Sequence, residues 1–332
     1  MNNPRYFMLG QGVMEVYLYV LAGGLYAPSN SMAHVTLIAG ELRRNAVREA
    51  VHGLGEAFRD RVKIAKNILI KPDVGHYELQ LAATHVDALR GLLDVLREIT
   101  DAPIVIADAG HYGTLPGFRH FGYERLLGEY THVTLRDLQE GEAVEGEIQG
   151  VHGPIIVRRA KEALQADVKI SLGTLKTHRL YGACLSLANW VEGTWIVPPR
   201  QTISGRVFTR SPWLAADGDR GAHEIIRQLY EQHPVDIAVL DGFLGMEGDG
   251  PTDGTAIHVG VAIASMDAVA TDAIGATLMG IDPRALGYLD GLAQAGKGII
   301  DIADMDVPLQ LLRDRSRMFQ LPFEQRGLRN AG

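Results

Sequence analysis

Apolar positions along this chain alternate between short runs and helical stripes. The runs at residues 35–39, 68–70, 104–107, 133–135, 168–172 and 237–240 are rich in Val, Ile and Leu. Runs this short and continuous predict strands buried on both faces of a parallel sheet. Between them, residues 41–58 and 85–99 repeat apolar side chains at helical spacing. In the second of these, Leu89, Leu92, Leu93, Val95 and Leu96 form one face, and Thr84 is placed to cap it. Further helices are expected at 119–130, 155–164, through Leu187 and Trp190, and at 222–232, 267–279 and 285–295. Residues 141–153 read as a polar connector. The alternation predicts an α/β fold: a mostly parallel, doubly wound sheet with helices on both faces.

Three departures from the alternation set the domain organisation. Residues 1–34 read as an N-terminal arm or strand, and 35–306 as the α/β domain, divisible into lobes at 35–165 and 166–306. Residues 307–332 are amphipathic and basic and read as a peripheral tail. Within the domain, 194–221 is an irregular insertion carrying Pro198, Pro199, Arg200, Arg210 and Pro212. A loop of that length is usually a lid, a binding loop or a disordered segment.

Composition narrows the class. Of 332 residues, 46% are hydrophobic and 22% charged, with net charge −8, as in an ordinary globular protein. No stripe of Lys and Arg offers a surface to nucleic acid. The apolar segment 6–27 is interrupted by Gln11 and Glu15, which argues against a membrane span. Arg5 alone is basic before it, too little for a signal peptide. The expected role of the arm is packing on the body or on a second copy, in a homo-oligomer. A single cysteine, Cys184, excludes an internal disulfide and a cluster held by several cysteines of one chain. It fits a cytoplasmic protein.

The chemistry gathers at strand ends. Lys71, Asp73 and His76 follow one strand, and Asp108 and His111 another. Lys176, His178 and Arg179 follow a third. A Gly-rich stretch with Asp241, Glu247, Gly248, Gly250 and Asp253 follows a fourth. In a doubly wound sheet, strand carboxyl ends share one edge, so the four loops are expected to face one cleft. Any one residue taken alone is more often a solvated lysine or a satisfied loop histidine, and the Gly-rich stretch a solvated turn. The coincidence of four loops makes the site. No dinucleotide, phosphate-loop, zinc-protease or nucleophile-elbow motif is present. Mixed charge suits a small anionic or zwitterionic ligand, held directly or through a divalent metal. Lys71 and Lys176 are expected to neutralise an anionic group, and His178 or His111 to move a proton. Asp108, Asp241 and Glu247 would orient the histidines or hold a metal. Gly248 and Gly250 admit backbone close to a ligand, and Asn189 and His223 complete the wall.

Several blocks together resemble the domain-of-unknown-function 362 family. They are I-L-I-K-P-D at 68–73, T-H-V-D-A-L-R-G-L-L-D-V-L at 84–96, I-A-D-A-G at 106–110 and L-K-T-H at 175–178. Further on come Ala188-Asn189 with Gly193, then His223, then L-D-G-F-L-G-M-E-G-D-G-P-T-D-G at 240–254 and A-S-M-D-A-V-A-T-D-A at 264–273. The resemblance covers about 68–283 and implies a fold and a candidate site, not a reaction. Some members of that family carry an added ferredoxin-like iron–sulfur segment; this chain lacks its cysteines, so no such cluster is expected. Ala188 stands where the family usually has Lys, which implies a changed substrate or a lost activity. Lysine with histidine in a cleft is also the residue mixture of the nickel-dependent lactate racemase type, a likeness of composition without a motif.

The resulting expectation is an enzyme acting on a small anionic or zwitterionic metabolite by proton transfer or hydrolysis, metal-assisted or not. The alternative is a non-catalytic metabolite- or metal-binding protein. A degenerate interaction protein is a third reading. An empty cleft whose lysines are neutralised by internal carboxylates would mark that one.

Overall fold

The strands, in chain order, are β1 (Ala33–Ala39), β2 (Ile68–Pro72), β3 (Ile104–Asp108), β4 (Val133–Asp137), β5 (Ala143–Gly150), β6 (Gly153–Ala160) and β7 (Val168–His178). They continue with β8 (Gly182–Cys184), β9 (Trp195–Ile196), β10 (Arg200–Thr202), β11 (Gly205–Val207), β12 (Ile237–Asp249), β13 (Asp253–Ser265) and β14 (Met305–Asp306). This computed structural model describes residues 32–202, 205–216 and 218–328. All but the last residues of the expected N-terminal arm lie outside them.

The centre of the main sheet is five parallel strands in the order β12-β7-β2-β3-β4. β13 pairs antiparallel with both β12 and β1, and β14 continues that edge beside β1. β5, β6 and β9 form a separate small sheet, and β10 with β11 a hairpin in the insertion. Successive strand residues point to opposite faces, and two cores result. Ile68, Ile70, Ile237 and Val239 pack with Val47, Phe58, Leu89 and Leu93 from helices Arg43–His52, Gly55–Lys63 and Val86–Ile99. Leu69, Ala238 and Leu240 pack on the other face with Leu187, Ile226, Ile274 and Leu289. Those come from helices Ser186–Gly193, Gly218–Gln232, Ala268–Leu278 and Gly287–Gln294. Each fully buried Leu or Ile contributes about 1.5–3 kcal/mol. The predicted doubly wound α/β architecture is therefore correct.

Several local expectations change. The helix expected over 41–58 is two helices, broken where Gly55 takes φ +76°, a conformation L side chains rarely adopt. The helix expected over 155–164 is strand β6 followed by one turn, Lys161–Leu164. Its start, Pro154-Ile155-Ile156-Val157, is β-branched and pairs with β5, which occupies the supposed connector. The strand expected to stop at Leu240 continues through the Gly-rich stretch to Asp249 and pairs with β13, with a register shift between Gly242 and Leu244. The tail is not peripheral: Phe319 is 1% exposed and touches the Cα side of Gly245. Gln325 Nε2 donates to the Arg179 and Leu180 carbonyls at 2.9 and 3.1 Å. The described residues from Met32 onward belong to one compact unit.

Strand order reverses between β2 and β7. From β2 the chain adds β3 and β4 on one side, then returns to place β7 and β12 on the other. Connections diverge there and leave a crevice at the strands' carboxyl ends.

Candidate functional site

Lys71 occupies the last turn of β2 before Pro72 and faces the same side as Leu69, toward helix Ser186–Gly193. Its Nζ donates to Asn189 Oδ1 and lies 3.0 Å from Asp108 Oδ1 at the end of β3. Asn189 is fixed in turn, its Nδ2 donating to Ser171 Oγ at 2.9 Å. Asp108 Oδ2 accepts from Val74 N at 3.0 Å. Gly193 closes this corner. A Cβ there would lie 1.6 Å from Lys71 Cε and 2.3 Å from Asp108 Oδ1.

Lys176 reaches the crevice from the other face, that of Leu172. Its Nζ is 2.5 Å from Asp73 Oδ2 and donates to the Ala82 carbonyl at 3.3 Å. Thr84, expected as a helix cap, instead holds the Asp73 loop: it accepts from Asp73 N and donates to Leu172 O, both at 2.8 Å. His85 caps the helix, accepting from Asp87 N. Burial opposes the Lys176 charge, yet Asp73 outweighs it and the pKa ends raised. For Asp108, burial dominates and raises the carboxyl above its ordinary value.

His178 stacks on Tyr181 with ring centroids 3.6 Å apart and 13° between planes. Leu180 N donates to its Nδ1 at 3.2 Å, so the neutral ring carries its proton on Nε2. Withdrawal from solvent, with Lys176 close by, lowers its pKa to about 3. Withdrawal and the Arg210 charge lower that of His111 to about 4. Both are neutral donors or acceptors at physiological pH. The His178 ring is expected to show no NMR titration between pH 8 and pH 5. A midpoint near 6.5 would remove it from this environment. The sign for stability follows: the contribution is present above the ordinary 6.5 and lost as pH falls, because the unfolded ring binds a proton that the folded one refuses.

Lys71, Lys176, His178, His111, Asp108 and Asn189 thus line one cavity of about 190 Å³ at the switch point. This is below the ~300 Å³ at the small end of drug-sized sites, so it has room only for a small occupant. The gathering of distant strand ends is as the sequence implied. Five other candidates stand elsewhere. Asp241 pairs with Arg43 at 2.9 Å. Glu247 accepts from Gln320 N at 2.8 Å, and Gly248 N donates to Gln320 O at 2.6 Å. His223 lies under Tyr288, whose backbone N donates to it at 3.3 Å, and borders a different groove. For Glu247 and Gly248 the cause is the length of β12, which carries them past the crevice, while Asp241 shares the Val239 face of β12 with the helix of Arg43, and His223 sits on helix Gly218–Gln232. Gly250 serves a backbone crossing, since a Cβ there would be 2.1 Å from Thr177 O. The hairpin reaches the cavity through Pro251 and Thr252 instead.

The proposed metal ligands Asp108, Asp241 and Glu247 have three separate sets of partners. Among the described residues, no group of three or more His, Cys, Asp and Glu side chains is arranged to hold a metal ion. The donor set does not fit a divalent metal. Ala188 is fully buried in the apolar core and is not part of the cavity wall.

Sequence reasoning missed Gly193, Glu192, Tyr181 and Arg210 as wall residues. Glu192 and Gly193 lie three and four residues after Asn189 on one helix, hence on its face, a signal that was available. Arg210 belongs to the irregular insertion and had none. It is 4% exposed, and its guanidinium donates to the carbonyls of Trp195, Ala109 and Phe208.

A family model described as Domain of unknown function (DUF362) matches residues 68–277. A thylakoid-associated protein of Synechocystis sp. is 25% identical over 231 residues, which are 68% of this chain and 66% of that protein. Among solved structures, the lactate racemase apoprotein from Thermoanaerobacterium thermosaccharolyticum aligns with TM-score 0.48 and 15% identity, over 77% of this chain and 59% of that one. Among the described residues, no helix is long and apolar enough to cross a membrane.

Proposed function

The chain belongs to the Domain of unknown function (DUF362) family, and we propose that its switch-point cavity is the site of a small-molecule enzyme working by proton transfer. One observation carries this reading: a buried carboxyl of raised pKa, Asp108, shares a small cavity with two lysines and a neutral histidine donor. Perturbed groups converging in a cleft are a functional signature. In this reading Asp108 takes a proton from the ligand, with Lys71 beside it stabilising the charge that develops. His178 Nε2–H donates to a ligand oxygen, and Lys176 supplies fixed positive charge. Hydrolysis is the weaker use of these groups. Cys184, the sulfur nucleophile on the wall, has its pKa pushed up to about 12 by burial, which leaves no thiolate.

A second reading is a non-catalytic metabolite-binding protein. It is favoured by the pairing of both lysines with internal carboxylates, Asp108 and Asp73. That pairing is also the feature set out as the mark of a degenerate site. We place the protein in the cytoplasm, on the strength of its lone, buried Cys184.

The test is hydrogen–deuterium exchange at carbon. Purified protein is incubated in D₂O with small carboxylates and amino acids, and C–H signals are followed by NMR. Catalysed exchange of at least one compound, abolished by Asp108→Asn, is expected. If none exchanges while native mass spectrometry finds a retained small molecule, the binding reading replaces this one.

A further inference from the structure

Two charged groups in the cavity are left over once its internal pairs are made. Lys71 is matched by Asp108, and Lys176 by Asp73. Arg210 and Glu192 line the same cavity. Among the described residues, neither has an ion-pair partner within 4 Å. Arg210 is held by backbone carbonyls: Nε and Nη2 donate to Trp195 O at 3.1 and 2.6 Å, Nη2 to Ala109 O at 2.7 Å, and Nη1 to Phe208 O at 3.3 Å. That accounts for four of its five N–H groups and leaves one on Nη1. Carbonyl dipoles orient a guanidinium but do not neutralise it; Glu192, Asp108 and Asp137 favour its charge only from beyond contact distance, and burial outweighs them. Glu192 has one oxygen, Oε1, accepting from Tyr181 OH, which leaves its other oxygen for a ligand.

We propose that the cavity takes a small zwitterion of the amino-acid class, its carboxylate on Arg210 and its ammonium on Glu192. The two opposite charges stand further apart than contact distance in a space of about 190 Å³. A ligand carrying both charges a few ångströms apart satisfies each of them at once. A simple anion would meet Arg210 but also the Glu192 carboxylate, and a simple amine the reverse. Binding at Arg210 also gives the insertion a role. Arg210 ties β9 and the segment after β3 to residue 208, so a ligand held on Arg210 contacts the insertion as well as the sheet edge. This assignment rests on the reading of the cavity as a ligand site, and is independent of whether chemistry follows.

Calorimetric titration at matched ionic strength tests it with four probes: glycine, L-alanine, acetate and methylammonium. An amino acid is expected to bind at least tenfold more tightly than acetate or methylammonium. Glu192→Gln keeps the shape and an acceptor for Tyr181 but removes the charge. It should weaken the amino acid at least tenfold and narrow its advantage over acetate. Arg210→Gln should weaken amino acid and acetate together. Should that variant fail to fold, the Arg210 Nε–H resonance of the unmodified protein supplies the readout, since it must shift on titration with the amino acid. Equal affinity for the amino acid and acetate, an unmoved Arg210 resonance, or an unchanged ratio in Glu192→Gln would overturn the proposal. Failure of the catalytic reading looks different. An amino acid that binds at Arg210 and Glu192 without carbon exchange leaves this assignment standing. Exchange of a carboxylate lacking an amine, with no amino-acid binding, overturns it and leaves catalysis standing.

Discussion

Lys176→Met is expected to cost about 3–5 kcal/mol of folding stability, the range for breaking a buried ion pair from one side. Methionine nearly matches the length of the lysine stem, so lost packing is a small part of the effect. What remains is Asp73, 5% exposed, with its carboxylate facing the place where Nζ stood 2.5 Å away. The pair as a whole is a different matter. Desolvating both ions offsets most of their attraction, so removing both with Lys176→Met and Asp73→Leu is expected to be far milder than the single change. Urea unfolding of the two singles and the double measures this. If the double costs as much as the sum of the singles, the two groups do not interact and the cavity geometry is wrong. The pH sign is also fixed. A raised lysine pKa gives a contribution present in full below the ordinary 10.5 and lost only as pH rises through the folded value. The loss in Lys176→Met should therefore be undiminished at neutral pH. A pair that contributes little net stability yet occupies a strand-order switch point is better explained by a ligand than by folding.

That switch point was legible because it follows from alternation alone. Once strands such as 68–70 and 168–172 are recognised with helices between them, topology places Lys71 and Lys176 at one edge. What failed was the length of strands. Asp241 reads as a strand end because Gly242 follows it, yet the backbone continues as β12 through three glycines, since β13 supplies a partner along nearly its whole length. Glycine weakens a strand without ending it where pairing persists. The same oversight carried Glu247 and Gly248 into the proposed site. β5 and β6 were missed for a related reason: one strand is half-exposed and polar, and its partner follows after a two-residue turn. Arg210 could not have been found. Its position depends on carbonyls of residues 109, 195 and 208, which only the folded insertion brings together. Thr84 shows the converse error, a correct residue with the wrong role, because a hydroxyl that suits a helix cap also suits a loop clamp.

Gly193→Ala separates the packing of the cavity from the intrinsic preferences of the helix that supports it. Gly193 is the last residue of Ser186–Gly193 and does not adopt a positive φ. On helix propensity alone, alanine there would be more favourable by about 0.8–1 kcal/mol. The opposite is expected. The new Cβ would fall 1.6 Å from Lys71 Cε, 2.1 Å from Nζ and 2.3 Å from Asp108 Oδ1. The lysine stem can swing away, but only by leaving Asp108 and Asn189, so a buried carboxylate loses its cation. That loss is of the order of 3–5 kcal/mol and exceeds the propensity gain. The background decides the cause. In Lys71→Ala the colliding atoms are absent, so the further cost of Gly193→Ala should shrink to the contact with Asp108, a coupling readable from unfolding midpoints. An equal cost in both backgrounds would mean that the methyl strikes the backbone rather than the lysine. The corner of the cavity would then be defined by helix position and not by the Lys71–Asp108 pair, and a catalytic Asp108 held by Lys71 would lose its structural basis.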